Sequence, residues 1–335
     1  MKKGVTIKDM ARKLNMSFST VSKALSNDLS ISILTRERVK SLAAEWNYIP
    51  NEAARHFKLN KTFTLGLIIP NLLDQFFVLA INGVEQVAAH KKYNVIVSQS
   101  HEDSEREEKI VDLMIRNRVD GVIAAIAKNT NDMSPFRKLI NIGIPVVFIA
   151  RPPIEPFNYV YVNSLEGAIK AMDFLFEKGH RRIGHIMGPP SMSVSQLRLE
   201  GYKKALLKHS LDFDSSLVKQ VDLTPQSTYD VMEQFIEMDL PPTAIYTFKN
   251  YISVDAIDYL KSKHPEKLEK IDFVGFGNLP LIQHLDHKPI ASIDESPHEM
   301  GEEAAQLLFK FIDNDRLQDN MHYEKIQIPC RLVIH

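Results

Sequence analysis

Between Ser17 and Lys23 the chain reads Ser-Phe-Ser-Thr-Val-Ser-Lys, which sets several hydroxyls, one aromatic ring and one ammonium group on a short span. Short hydroxyls suit phosphate oxygens and the ammonium adds a cation, so the chemistry implied is recognition of nucleic acid. At helical spacing Val21, Ala24 and Leu25 share one face. Phe18, Ser19, Ser22 and Lys23 are left pointing outward, where a major groove would meet them.

Something must hold that face rigid. Ser17 is a natural N-cap for the helix that carries it. Upstream, Thr6 followed by Asp9 has the shape of a capping box, which starts an earlier helix with Ile7, Met10, Ala11 and Leu14 on one side. Asn15 and Met16 form the turn between the two. Ser32 caps a third helix, whose Val39, Leu42, Ala43 and Trp46 give the pair something to pack on. After Pro50, the segment from Asn51 to Lys58 has an Asn cap but is too short to be a stable helix alone. Thr6, Ser17, Thr20 and Ser22 have two roles open to them, capping and donation to phosphate.

Charge divides the chain at the same place. Residues 1–61 hold 12 Lys and Arg against 5 Asp and Glu, a net of +7, while residues 62–335 hold 29 against 37, or −8. A basic head on an acidic body suits a polyanion-binding module joined to a part that should not hold phosphate backbone. At 335 residues, two or three folding units are expected. The single Cys330 excludes an internal disulfide and any two-cysteine metal site, and reads as a lone buried thiol. With no apolar leader and no run long enough to span a bilayer, a cytoplasmic location without membrane contact is expected.

The run from Val5 to Ala11, then Thr20-Val21-Ser22-Lys23, Asn47-Tyr48-Ile49-Pro50-Asn51 and Ala54-Arg55, resembles the LacI (lactose and purine repressor) family of bacterial transcription regulators. The likeness continues through Leu65-Gly66-Leu67-Ile68-Ile69-Pro70, Val119-Asp120-Gly121-Val122-Ile123, Arg198-Leu199-Glu200-Gly201-Tyr202 and Phe273-Val274-Gly275-Phe276. It implies a transcriptional repressor that binds a palindromic operator as a homodimer, modulated by a small-molecule effector. By position it also implies base reading by Phe18, Ser19 and Lys23, with Thr6, Ser17, Thr20 and Ser22 on phosphates. The hinge residues Asn51, Ala54 and Arg55 complete the set, and Phe57 stands where the family wedges a Leu into the minor groove. Lys23 replaces the more usual Arg. It keeps the charge but loses the planar fork, which softens discrimination at that base.

From Thr62 onward short apolar runs alternate with amphipathic stretches. Strands are expected at 64–69, 94–98, 121–125, 145–149, 159–162, 183–187, 244–248, 272–275 and 291–294, with a final strand within 323–335. That rhythm predicts right-handed βαβ units. The fold class is therefore α/β, a helical head plus a two-lobed body of doubly wound parallel sheets, similar to a periplasmic sugar-binding protein. The expected domains are 1–50 for the helix-turn-helix head, 51–61 for the hinge and 62–335 for the body. Lobe 1 takes about 62–161 and 294–321, lobe 2 about 162–293 and 322–335. Chain crossings are placed near Val162, Ile293 and His322. No amphipathic tail follows Tyr323, so a tail-mediated tetramer is not indicated.

In such sheets ligands sit beyond the carboxyl ends of the strands. The resemblance places the effector site there, with Phe76, Arg151, Asn163, Arg198, Phe248, Asn250, Phe276 and Glu295 as candidates. Several carboxylates that the family directs at sugar hydroxyls are missing: Ala150 stands for an acidic residue, Asn163 and Gly277 each for an Asp, and Lys249-Asn250 for an Asn-Asp pair. Arg151, Arg198 and Lys249 offer donors instead, which favours an anionic ligand such as a sugar phosphate or an organic acid. The competing reading is that Arg151 and Lys249 pair with Glu295 or with solvent and that the pocket no longer senses a small molecule.

No catalytic constellation stands out. Gly275-Phe276-Gly277 lacks the third glycine of a dinucleotide loop, there is no P-loop lysine or nucleophile elbow, and the 12 His show no ligand spacing. No enzyme activity, cofactor or metal is expected. Two other functions remain open: a regulator controlled by a protein partner, and a cleft-type binding protein whose head serves protein interaction.

Overall fold

The computed structural model describes residues 5–48, 61–314 and 323–335. The chain divides into two compact units, Met1–Thr62 and Phe63–His335.

In the first unit, α1 (Ile7–Leu14), α2 (Phe18–Leu25) and α3 (Ile33–Glu45) close on a small core of Met10, Ala11, Leu14, Val21, Ala24, Val39 and Leu42, flanked by Trp46 and Tyr48. Both halves of the capping box form. Thr6 N–H donates to Asp9 Oδ2 at 3.1 Å and Asp9 N–H donates to Thr6 Oγ1 at 3.3 Å. Asn15 ends α1 in the left-handed region, at φ 53°, which an Asn tolerates and which reverses the chain into α2.

The second unit holds two six-stranded sheets. The first is built from β1 (Thr64–Ile69), β2 (Asn94–Gln99), β3 (Gly121–Ala124), β4 (Val146–Ile149), β5 (Asn158–Val162) and the late β11 (Lys325–Ile328), in the order β11-β5-β4-β3-β1-β2, all parallel. The second takes β6 (Ile183–Met187), β7 (Val218–Gln220), β8 (Ala244–Thr247), β9 (Asp272–Phe276), β10 (Ala291–Asp294) and β12 (Arg331–Ile334), ordered β12-β10-β9-β8-β6-β7. Only β12 runs antiparallel there, against β10. Central strands such as β3 and β4 are buried along their whole length, as sheets covered by helices on both faces require. The α/β, two-lobed expectation is met.

Helices α4 (Gln75–His90), α5 (Ser104–Arg116), α6 (Ser134–Asn141) and α11 (Pro297–Ile312) belong to the first lobe; α7 (Ser164–Glu177), α8 (Ser193–Lys208), α9 (Pro225–Ile236) and α10 (Asn250–Lys263) belong to the second. Helices α4 and α11 cross so closely that a Cβ on Gly83 would run into the His298 carbonyl, and one on Gly301 into that of Ala80. Any larger residue at either position would push the helices apart.

Three findings depart from expectation. The single terminal strand is two strands that belong to different sheets, because Pro329 has no N–H to continue a ladder and the chain changes lobes there. The third crossing thus lies between Ile328 and Arg331, not near His322, and residues 325–328 belong to the first lobe. The short edge strand β7 had no expected counterpart; three residues with little apolar content carry no readable alternation.

Candidate nucleic-acid interface and cleft site

The face of α2 that the spacing predicts is present. Phe18 is 53% exposed, an unusual state for a large ring that no core claims, and Ser19 and Lys23 are exposed beside it. Ser17 Oγ accepts the Thr20 N–H at 3.0 Å and lies 2.8 Å from both the Ser19 and Thr20 hydroxyls. Capping and a hydroxyl cluster at the helix N-terminus are therefore one arrangement, and such a terminus favours a phosphate. Thr6 is engaged in its own cap, and Ser22 is half-buried. Lys23 Nζ rests 3.4 Å from Ser30 Oγ and 4.0 Å from Asp28. The Asp28 carboxyl is held below its ordinary range by hydrogen bonds from Ser30, with smaller help from Lys23. Both contacts are long, and about half of the Lys23 side chain stays exposed. Asn51, Ala54, Arg55 and Phe57 lie outside the described residues.

The body encloses a cavity of about 280 Å³ where the carboxyl ends of the strands of its two lobes face each other. Four turns leaving strands carry the backbone around it through the left-handed region: Ala150 (φ 65°) after β4, Leu223 (φ 76°) after β7, Gly277 (φ 95°) after β9 and Ser296 (φ 46°) after β10. Gly277 adopts this region freely, whereas the three non-glycine turns are strained and persist because the surrounding structure holds them.

Of the expected cleft residues, Phe76, Arg151, Arg198, Phe248, Phe276 and Glu295 line this cavity. Arg198 is its floor. Its guanidinium carbon stands 3.6 Å from the Phe276 ring centroid and 4.7 Å from that of Phe248. Nη2 donates to Glu295 Oε1 at 2.7 Å, and Nη1 to the Phe248 carbonyl. Burial raises the Glu295 carboxyl above its ordinary range, and the attraction of Arg198 only partly offsets this.

Asn163 and Asn250 do not line the cavity. Asn163 caps α7, its Oδ1 accepting the Glu166 N–H at 3.1 Å. Asn250 is buried, and its Nδ2 donates to the Gly277 carbonyl at 2.5 Å and to Ser292 Oγ at 2.6 Å, which braces the turn after β9 from behind.

The expected surplus of positive charge is offset, although one buried donor in the cleft, Arg198 Nε, has no hydrogen-bond partner among the described residues. Arg151 meets Glu102 through both Nη atoms, at 2.7 and 2.6 Å, and also donates to the Ile126 carbonyl at 2.7 Å. Burial pushes the Glu102 carboxyl up, and the Arg151 fork together with Lys128, whose backbone N–H it accepts, more than reverses it, leaving that carboxyl low. Lys249 Nζ stands 3.3 Å from Asp74, and Arg198 has Glu295. Neither Arg151 nor Lys249 takes Glu295, the partner that the sequence had suggested. Among the lining residues Lys128, Arg151, Arg198 and Lys249 face Asp74, Glu102, Asp222 and Glu295, so the formal charges cancel. Sequence reasoning missed Asp74, Glu102 and Tyr251 altogether. Asp74 alone left a trace, as a helix N-cap just before Phe76.

Comparison with known proteins matches residues 6–51 to the model for bacterial regulatory proteins of the lacI family, and residues 62–335 to that for periplasmic binding proteins and the sugar-binding domain of the LacI family. The chain is 31% identical to the HTH-type transcriptional repressor CytR of Escherichia coli strain K12 over 329 residues, 98% of this chain and 95% of that protein. It is 28% identical to the ribose operon repressor of the same strain, over 93% of this chain and 94% of the relative. Among solved structures, the Lac repressor bound to ONPG in the repressed state superposes with a TM-score of 0.84 at 21% identity, covering 99% of this chain and 98% of that one. The complex of transcriptional regulator CelR with cellobiose gives 0.71 at 24% identity, covering 98% of each.

Proposed function

We propose, from the premise that this chain belongs to the LacI family of DNA-binding bacterial regulatory proteins, that it represses transcription as a homodimer on a palindromic operator and answers to a small molecule held in the body's cleft. The observation that carries the first part is the exposed Phe18, Ser19 and Lys23 face above a hydroxyl-capped helix start, on a segment with a net charge of +7. Two copies of one such face on a two-fold axis read two inverted half-sites. The hinge residues Asn51, Ala54, Arg55 and Phe57 are assigned to the same duplex by resemblance.

For the cleft, the pairing of its cations shifts the reading of the ligand. An anion would have to displace Glu102, Glu295 or Asp74 from a cation it already neutralises, whereas a neutral ligand meets fixed donors and acceptors together with the rings of Phe76, Phe248 and Phe276. We therefore favour a neutral, hydroxylated molecule with one flat apolar face over a sugar phosphate. Work in the cytoplasm is inferred from the family membership, and no catalytic role is assigned; among the described residues no helix is long and apolar enough to cross a membrane.

Selection of bound duplexes from a random pool by the full-length protein tests the DNA reading. A two-fold symmetric consensus whose retention falls steeply between about 50 and 200 mM salt supports it. Recovery of no consensus at low salt would favour a head that binds protein instead. Calorimetry with free sugars and their phosphate esters, side by side, tests the ligand class; binding of the esters alone would restore the anionic reading.

A further inference from the structure

We propose that Lys249 and Tyr251 of the second lobe form a latch on the N-terminus of α4 in the first lobe, so that this chain closes its cleft with its own side chains. The contacts bridge the lobes at one edge of the cavity, whose lining includes Asp74, Phe76, Lys249 and Tyr251. Tyr251 Oη accepts the backbone N–H of Gln75 at 2.9 Å and donates to the Leu73 carbonyl at 3.4 Å. Gln75 is the first residue of α4, so its N–H has no partner inside the helix, and the tyrosine hydroxyl supplies one from the other lobe.

Asp74 divides its two oxygens. Oδ1 caps α4 by accepting the Phe76 N–H at 3.1 Å, while Oδ2 stands 3.3 Å from Lys249 Nζ, and that ammonium lies 5.2 Å from the centroid of the Tyr251 ring. The Lys249 and Asp74 side chains are 26% and 17% exposed, so solvent screens the pair only in part. Lys249 stands where the resemblance leads one to expect Asn, which makes the latch a feature of this chain. Phe76 follows Asp74 by two positions, so rotation of the α4 end moves a wall of the cavity along with the latch. Each of the two links, hydroxyl and ion pair, is expected to change the ratio of closed to open lobes by about five- to tenfold.

The test is the lobe separation in purified full-length protein, read by spin-label distances between Ile154→Cys and Leu281→Cys, exposed positions in the segments that follow β4 in the first lobe and β9 in the second. The expected result is one short distance in the parent and a shift of population to longer distances in Tyr251→Phe with Lys249→Met. Asp74→Asn, which keeps a capping acceptor and removes the charge, should give an intermediate shift and guards against a folding defect in the double variant. Unchanged distances in both variants would overturn the latch. Its use in regulation rests on the function proposed above and is read separately, by titrating the selected duplex. Opened lobes with unchanged DNA affinity would keep the latch and remove the coupling between cleft and head.

Discussion

Replacing Arg198 by Met removes the positive member of a pair that sits almost out of water. The Arg198 side chain is 6% exposed and that of Glu295 15%, and they meet at 2.7 Å. Three losses follow: the hydrogen bond to the Phe248 carbonyl, contacts with two aromatic faces, and the counter-charge of Glu295. The third dominates. An orphaned buried charge costs about 3–5 kcal/mol, whereas replacement of both partners by groups of similar shape is often close to neutral. Arg198→Met is therefore expected to lose roughly 4 kcal/mol at pH 8, and Arg198→Met with Glu295→Gln substantially less than the two single changes together. A coupling energy of about 1.5–3 kcal/mol is expected.

The pH dependence gives a second handle on the same pair. Burial already raises Glu295 against the pull of Arg198, so removing Arg198 must raise it further. A carboxyl whose folded value lies above its unfolded value keeps its proton on folding, so the variant gains stability as pH falls and loses it as pH rises through the folded value. The penalty of Arg198→Met should accordingly shrink between pH 8 and pH 5.5. Urea unfolding followed by far-UV circular dichroism measures this in the body. Fluorescence does not, because the one tryptophan, Trp46, packs against the core of the head. Single changes that add up to the double change within about 0.5 kcal/mol, or a penalty that is flat with pH, would refute the reasoning.

His185 is fully buried between the rings of Tyr202 and Tyr246, and burial, with a smaller push from Arg198, lowers its pKa to about 4. Its contribution is complete above the unfolded value near 6.5 and is lost as pH falls toward 4, up to roughly 3 kcal/mol; the stability difference between His185→Phe and the parent should vary with pH across that window and be flat above it. Thr6→Ala removes the cap of α1 and is expected to cost about 1 kcal/mol in the head, read by Trp46 fluorescence in urea, with no change in the body's transition. Lys23→Ala should weaken binding to the selected operator by about 1–3 kcal/mol with relaxed preference at one base pair, and Lys23→Arg should sharpen that preference. A uniform loss across sequences would instead assign Lys23 to a phosphate.

What the sequence made legible was local. Thr6 with Asp9, Ser17 with Thr20 and Ser32 with Thr35 are each three residues apart, and each pair forms the cap that its spacing implies. The strands could be read because parallel strands buried on both faces are nearly continuous apolar runs; β7, at three residues on a sheet edge, has no such run. The break at Pro329 was legible in principle, since a proline inside a run of strand residues argues against one continuous strand.

The electrostatics of the cleft were not legible, for a geometric reason. Arg151 finds its counter-ion 49 residues away, Arg198 at 97 and Lys249 at 175, and no spacing rule operates over those distances. Read one at a time, three cations facing a cleft imply an anion. The fold supplies three carboxylates of its own instead, and only the closing of two sheets over one cavity shows it. The same reasoning separates Asn163 and Asn250 from the residues around them: both stand in binding positions by resemblance, yet a helix start claims one and the glycine turn after β9 claims the other. A position carried over by resemblance keeps its meaning only while the side chain stays free of the scaffold, and in this cleft the scaffold has taken two amides and neutralised three cations.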